Sequence, residues 1–130
     1  MKLLVGYDGS NSAKEALSLA AKHAKAFRAS IDIVTSMETG TVEETGDIQK
    51  AKTDLEAAEK SMMDQNIPVE THLLIRGMKP GEDLVQFAVE SKAQGVYIGV
   101  KRWSKVGKLL FGSNSQYVIL KAPCPVTSVR

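Results

Sequence analysis

The sequence predicts an α/β protein in which one doubly wound parallel sheet of five strands carries helices on both faces. Two observations predict it. Five short apolar runs alternate along the chain with four stretches whose apolar residues recur every three or four positions. Parallel strands joined through helices need right-handed crossovers, and these lay helices on both sides of the sheet. A length of 130 residues, without an internal repeat or a low-complexity tract, makes the whole chain, 1–130, a single domain.

The first strand is KLLVGY (2–7), an apolar run stopped by DGSNS, whose residues all favour turns. Ala13, Ala16, Leu17, Ala20, Ala21, Ala24 and Phe27 then line one side of a helix, and the small alanines let it lie close on a sheet. Ser12 and Glu15 predict a capping box at its start. SIDIVTS (30–36) alternates and is rich in β-branched residues, which makes it a second strand. METGTVEETG (37–46) has several acids and no apolar period, and predicts a mobile loop. Ile48, Ala51, Leu55, Ala58 and Met62 predict a second helix ending before Pro68. VETHLLI (69–75) is a third strand, RGMKPGED turns the chain, and Leu84, Val85, Ala88 and Val89 mark a third helix. GVYIGV (95–100) is a fourth strand. After a long loop, a helix from Ser113 or Asn114 to about Lys121 leads to a last strand, CPVTSV (124–129).

The composition is that of a globular protein, 43% hydrophobic and 25% charged. A net charge of +2 is too small for the surface as a whole to attract nucleic acid or anionic lipid, so neither is expected as a partner. The single cysteine, Cys124, excludes an internal disulfide and suits a reducing cytosol. No stretch approaches the ~18–20 apolar residues of a membrane span. The N-terminus begins like a signal peptide, but Tyr7 and Asp8 cut its apolar run short, and a cytoplasmic protein is expected.

In such a sheet, ligands bind beyond the carboxyl ends of the strands, where the strand order reverses. The segments 6–12, 36–40, 76–79 and 99–113 reach that edge. Asp8 follows the first strand, next to Gly9. Its carboxylate suits a ribose or a phosphate-bound metal, and equally suits a turn in which it accepts from its own following amides. The loop 99–113 is longer than usual for a strand-to-helix connection. Gly112-Ser113 before a helix offers free amides and a positive dipole end to an anion, and Lys101, Arg102, Lys105 and Lys108 bring positive charge beside it. The plain alternative is a solvated basic loop and an ordinary serine N-cap. His23 falls among polar helix positions and is expected at the solvent. His72 lies mid-strand and is expected to pack. With two histidines and one cysteine, no metal-ligand cluster of usual spacing is read.

GYDGSNSAKEAL, the loop GVKRWSKVGKLLFGSNSQYVI and the ending KAPCPVTSVR, taken together, resemble the universal stress protein family over nearly the whole chain. The pattern of its nucleotide-binding members is Gly, two residues, Gly, nine residues, then Gly followed by Ser or Thr. Gly99, Gly112 and Ser113 occupy its first, third and fourth fixed positions. The resemblance implies a Rossmann-like fold and a homodimer paired through the last strands. It further implies a bound adenine nucleotide, either ATP, with or without Mg2+, or ADP or AMP. By position, Asp8 would face the ribose or adenine, Ser36 would offer backbone to the adenine, and Ile98 and Gly99 would flank the nucleotide. Gly112, Ser113 and Asn114 would take the phosphates, with Lys101 nearby. Arg102 stands where the pattern has its second glycine. Its side chain either obstructs a phosphate or pairs with it.

A phosphoacceptor receiver would need an acidic pair after the first strand and an Asp ending the third, and a nucleotide pyrophosphatase would need a Ser-Gly-Gly-x-Asp-Ser loop. Neither is present, and a Walker loop is missing too. No catalytic residue is assigned, because only Asp8 is placed to act on a nucleotide; a dedicated enzyme is not expected, and slow ATP hydrolysis stays open. The expected function is therefore that of a dimeric regulatory protein in stress response. In it, an adenine nucleotide orders residues 99–113 and changes what the dimer contacts. The alternative is an interaction protein of the same family without a working nucleotide site.

Overall fold

A computed structural model describes residues 1–39, 45–100 and 112–130. Nine elements alternate: β1 (Lys2–Gly6), α1 (Asn11–Phe27), β2 (Ser30–Met37), α2 (Thr45–Asp64), β3 (Val69–Ile75), α3 (Pro80–Ser91), β4 (Gly95–Gly99), α4 (Ser113–Lys121) and β5 (Val126–Val129). The strands form one sheet in the order β3-β2-β1-β4-β5, every neighbouring pair parallel. The chain builds outward from β1 to β3 and then crosses to β4 on the other side of β1. The switch point therefore lies between β1 and β4.

Alternation of side chains along each strand splits the core in two. Leu3, Val5, Ile31, Ile33 and Tyr97 face α1 and α2. Leu4, Val34, Val96 and Ile98 face α3 and α4. On α1 the buried stripe is Ala13, Ala16, Leu17, Ala20, Ala21 and Ala24, as the spacing predicts.

Several boundaries differ from the sequence expectations, for local reasons. The N-cap of α1 is Ser10, which accepts from the Ala13 amide at 3.2 Å, so Ser12 falls inside the first turn and no box with Glu15 forms. Phe27 is 58% exposed: the chain leaves α1 through Arg28 at a φ of 56°, and Ala29 takes the buried place instead. Helix α2 begins at Thr45, so of the predicted loop 37–46 Met37 belongs to β2, and 40–44 lie outside the described residues. β4 stops at Gly99, and β5 spans only four residues, with Cys124 and Pro125 in the turn before it. His23 is half-buried, not solvent-facing, because its Nδ1 meets the hydroxyl of Tyr97 on β4. His72 packs, as expected: its ring lies 4.7 Å from that of Phe87 on α3.

Candidate functional site

Three adjoining hollows open at the carboxyl ends of β1, β2 and β4, and Asp8 borders all of them. The innermost is a cavity of about 250 Å³ at the switch point. Val34, Leu84, Ile98 and Val118 give it apolar walls, and Gly6, Tyr7, Thr35, Ser36, Gly99 and Asn114 also line it. Toward α4 lies a polar hollow of about 470 Å³, bordered by Ser10, Ser12, Gly99 and the run Gly112 to Ser115. Toward α2 lies a third, of about 280 Å³, bordered by Thr35, Ser36, Met37, Asp47, Lys50 and Asp54.

Close approach of helices to strand ends dictates the residues around the cavity. A Cβ on Gly99 would stand 2.5 Å from the Ser12 carbonyl carbon and 2.7 Å from the Ala13 amide, so only glycine lets the start of α1 rest on the end of β4. A Cβ on Gly81 would stand 2.7 Å from the Asn114 carbonyl oxygen. There the Gly81 amide donates to Asn114 Oδ1 at 2.9 Å, pinning α3 to the first turn of α4. Asn114 is thus a positional residue whose side-chain oxygen is already engaged.

Asp8 is exposed and accepts from the Ser10 amide at 2.9 Å, the local turn that the sequence allowed. Its second oxygen has no hydrogen-bond partner among the described residues, so the turn holds the carboxylate at the hollows without consuming it. Gly9, at a φ of 79°, passes beneath the Asp54 carboxylate. Lys50 donates to that carboxylate at 2.7 Å, and this bond raises the ammonium's pKa above its ordinary value. Burial first, then the carboxylates of Asp54 and Asp8, pushes the Tyr7 phenol up, keeping it a neutral donor. The α2 side of the site is therefore a place for neutral donors such as ribose hydroxyls or base amines, with its one lysine already paired.

The α4 side has the opposite character. The N-cap is Gly112, which has no side chain with which to cap, and the first turn holds no acid. The first intrahelical bond runs from the Gln116 amide to the Gly112 carbonyl, at 3.0 Å. The amides of Ser113, Asn114 and Ser115 lie ahead of it, with no bond among the described residues. The helix start thus presents a positive dipole end to the polar hollow, without the serine cap of the plain alternative.

Of the residues singled out from the sequence, Asp8, Ser36, Ile98, Gly99, Gly112, Ser113 and Asn114 come together around these hollows. Lys101 and Arg102 lie outside the described residues, as do Lys105 and Lys108. Sequence reasoning missed the support beneath Ser36. Its hydroxyl donates to Asp83 Oδ2 at 2.6 Å, and Asp83, wholly buried in the first turn of α3, also receives the Arg76 guanidinium at 2.6 and 2.7 Å. Arg76 reaches on to Glu90 at 3.0 Å. The segment 76–79 therefore serves the edge from below and lines none of the three hollows. Thr35, which donates to the Tyr7 carbonyl at 2.6 Å, likewise locks the ends of β1 and β2 together. Only the acids in the first turn of α3, Glu82 and Asp83, hinted at such an anchor.

A parallel sheet of this order with its cleft at the switch point defines a doubly wound α/β domain of the nucleotide-site type. The chain belongs to the universal stress protein family, whose model matches residues 1–130. It is 37% identical over 134 residues to a Thermus aquaticus protein named for its place, a universal stress protein in the QAH/OAS sulfhydrylase 3' region, covering 98% of this chain and 97% of that one. A universal stress protein from Archaeoglobus fulgidus is 36% identical with a TM-score of 0.91, covering 100% of this chain and 98% of that one. The structure of an Archaeoglobus fulgidus universal stress protein in complex with dAMP is 32% identical with a TM-score of 0.83, at the same coverage. A universal stress protein in complex with cAMP is 25% identical with a TM-score of 0.78, covering 100% of this chain and 97% of that one.

Proposed function

We propose that this chain binds an adenine nucleotide as a regulatory ligand, with the base in the switch-point cavity, the ribose against Asp8 and the phosphates on the first turn of α4. The observation that carries the proposal is the start of α4: amides without a partner among the described residues border a polar hollow that adjoins an apolar cavity of base size, and Asp8 borders both. Relatives solved with dAMP and with cAMP support the ligand class. ATP is the proposed nucleotide, since the polar hollow extends along Ser10, Ser12 and Gly112 to Ser115 with no carboxylate but Asp8 among its lining residues. The free oxygen of Asp8 is the donor present for a phosphate-bound Mg2+.

The working unit we propose is a cytoplasmic homodimer. β5 is an edge strand whose open side a second copy would cover, and α4, which precedes it in the chain, exposes Ile119 and Leu120, 42% and 77% accessible. Nucleotide at the start of α4 and a partner along its outer face then act on one helix.

Calorimetry with ATP, ADP and AMP, together with identification of any nucleotide released when the isolated protein is denatured, tests the reading. Saturable sub-millimolar binding is expected. No release and no heat would leave the interaction-protein reading in its place. Ser113→Asp sharpens the test by moving two quantities in opposite directions. A carboxylate on the first turn of α4 stabilises the fold by about 0.3–1 kcal/mol, while nucleotide affinity falls by about tenfold or more. For Arg102→Gly, tighter binding marks the guanidinium as an obstruction and weaker binding marks it as a phosphate contact.

A further inference from the structure

We propose that Asp32, Glu70 and His72 hold one divalent ion of the zinc type, at a site on the flank of the sheet apart from the nucleotide cleft. Asp32 and Glu70 are register partners on β2 and β3, and His72 follows two residues along β3, so the three side chains leave the same face. One donor atom from each lies within 4.8 Å of the other two. His72 Nε2 is 3.1 Å from Asp32 Oδ1 and 3.8 Å from Glu70 Oε2. Ligands at roughly 2.0–2.2 Å from zinc stand about 3.3–3.6 Å apart, and the exposed Glu70 arm needs only a small swing to reach that spacing. Asp32 lies four residues before Ser36, roughly 13 Å along the strand, so the two sites do not share a ligand.

Charge makes the case beyond proximity. Asp32 is 6% exposed, and among the described residues only the His72 imidazole bonds it. Asp83, also buried, has a permanently charged guanidinium. Asp32 has an imidazole and a second carboxylate in its place. A divalent cation balances the two acids, and takes the lone pair of Nε2 as well as one oxygen from each acid. The mixed nitrogen and oxygen donor set suits zinc or cobalt over magnesium, and the exposed side of Glu70 leaves room for a water as fourth ligand. Phe87, packed on the imidazole, holds the ring against the sheet. Usual motif spacing missed this group because one ligand comes from 38 residues earlier in the chain than the next, brought beside it by β2–β3 pairing.

Chelator-treated protein, free of nucleotide, is titrated with Zn2+ in a calorimeter and with Co2+ by visible absorption, and Mg2+ serves as the hard-ion control. One equivalent of Zn2+ should bind, Co2+ should show the intense bands of a low-coordinate site, and Mg2+ should give no matching heat. His72→Gln and Glu70→Gln should each weaken Zn2+ binding by about tenfold or more. The Glu70 side chain is 76% exposed, so that variant folds and decides the matter if His72→Gln does not. No saturable Zn2+ binding, or binding that Glu70→Gln leaves unchanged, overturns the site. Nucleotide binding by the same protein is read separately and does not bear on either result.

Discussion

Among the described residues, the two buried carboxylates lie on the same side of the sheet and are held in opposite ways. Asp83, under the switch-point cleft, receives one hydrogen bond from Arg76 Nε, pairs with its Nη2 at 2.6 Å and receives one hydrogen bond from Ser36, so its charge is compensated by a cation that does not titrate in the ordinary range. Asp32, on the flank, is bonded by the His72 imidazole, with a second carboxylate close by. The first arrangement is a fixed brace that sets the height of Ser36 beneath the base-sized cavity. The second has no guanidinium partner among the described residues. Burial alone does not say what a carboxylate is for; the permanence of its partner does.

The sharpest way to break this contrast is Arg76→Met. It strands the Asp83 carboxylate in an apolar setting, and about 3 kcal/mol of stability should be lost, at the low end for a buried pair because Arg76 is partly exposed. Adding Asp83→Leu should restore much of the loss in urea unfolding, since the orphaned charge goes with it. A single substitution that leaves the unfolding midpoint unmoved would show that Asp83 is no brace.

Ser36→Ala separates the brace from the ligand. Its hydroxyl points down to Asp83, so stability should fall by about 1 kcal/mol while nucleotide affinity stays within about twofold of the parent. A large drop in affinity would mean that the hydroxyl turns toward the ligand. On the flank, Asp32→Asn in metal-free protein removes a burial penalty and one bond together, and should change stability by less than about 1 kcal/mol in either direction.

The smallest effect is on the acid limb. Hydrogen bonds from Gln86 and then Arg76 hold the Glu90 carboxyl below its ordinary value. A depressed folded-state value means that this contribution is present above the unfolded value, about 4.3, and disappears as pH falls through the folded one. Arg76→Met raises the folded value toward the unfolded one, so the acid-induced loss of stability contributed by Glu90 should shrink and end at a higher pH. Unfolding midpoints between about pH 5 and 3 measure it.

Much of the fold was legible because its signals are local. The alanine stripe on α1, the apolar runs of the strands and the bounds of β3 and α4 follow from periods of two and of three to four residues, which need no knowledge of what packs where. The cleft was legible in outline for a related reason. The turn at Asp8 records what the backbone must do on the spot, and Gly99 marks where the start of α1 comes too close for a side chain.

Other features depended on segments far apart in the chain. His23 met Tyr97 across 74 residues, and Phe27 lost its buried place to Ala29 at a left-handed turn. The brace joins Ser36 to Asp83 across 47 residues, and the flank joins Asp32 to His72 across 40. By itself the sequence determined the order of elements, the faces they bury and the edge at which the cleft opens, because hydrophobic period and turn chemistry act between near neighbours. Only the tertiary structure decided which buried charge has a permanent counter-ion and which does not, because that depends on strand register and helix placement, which bring distant side chains within hydrogen-bond reach.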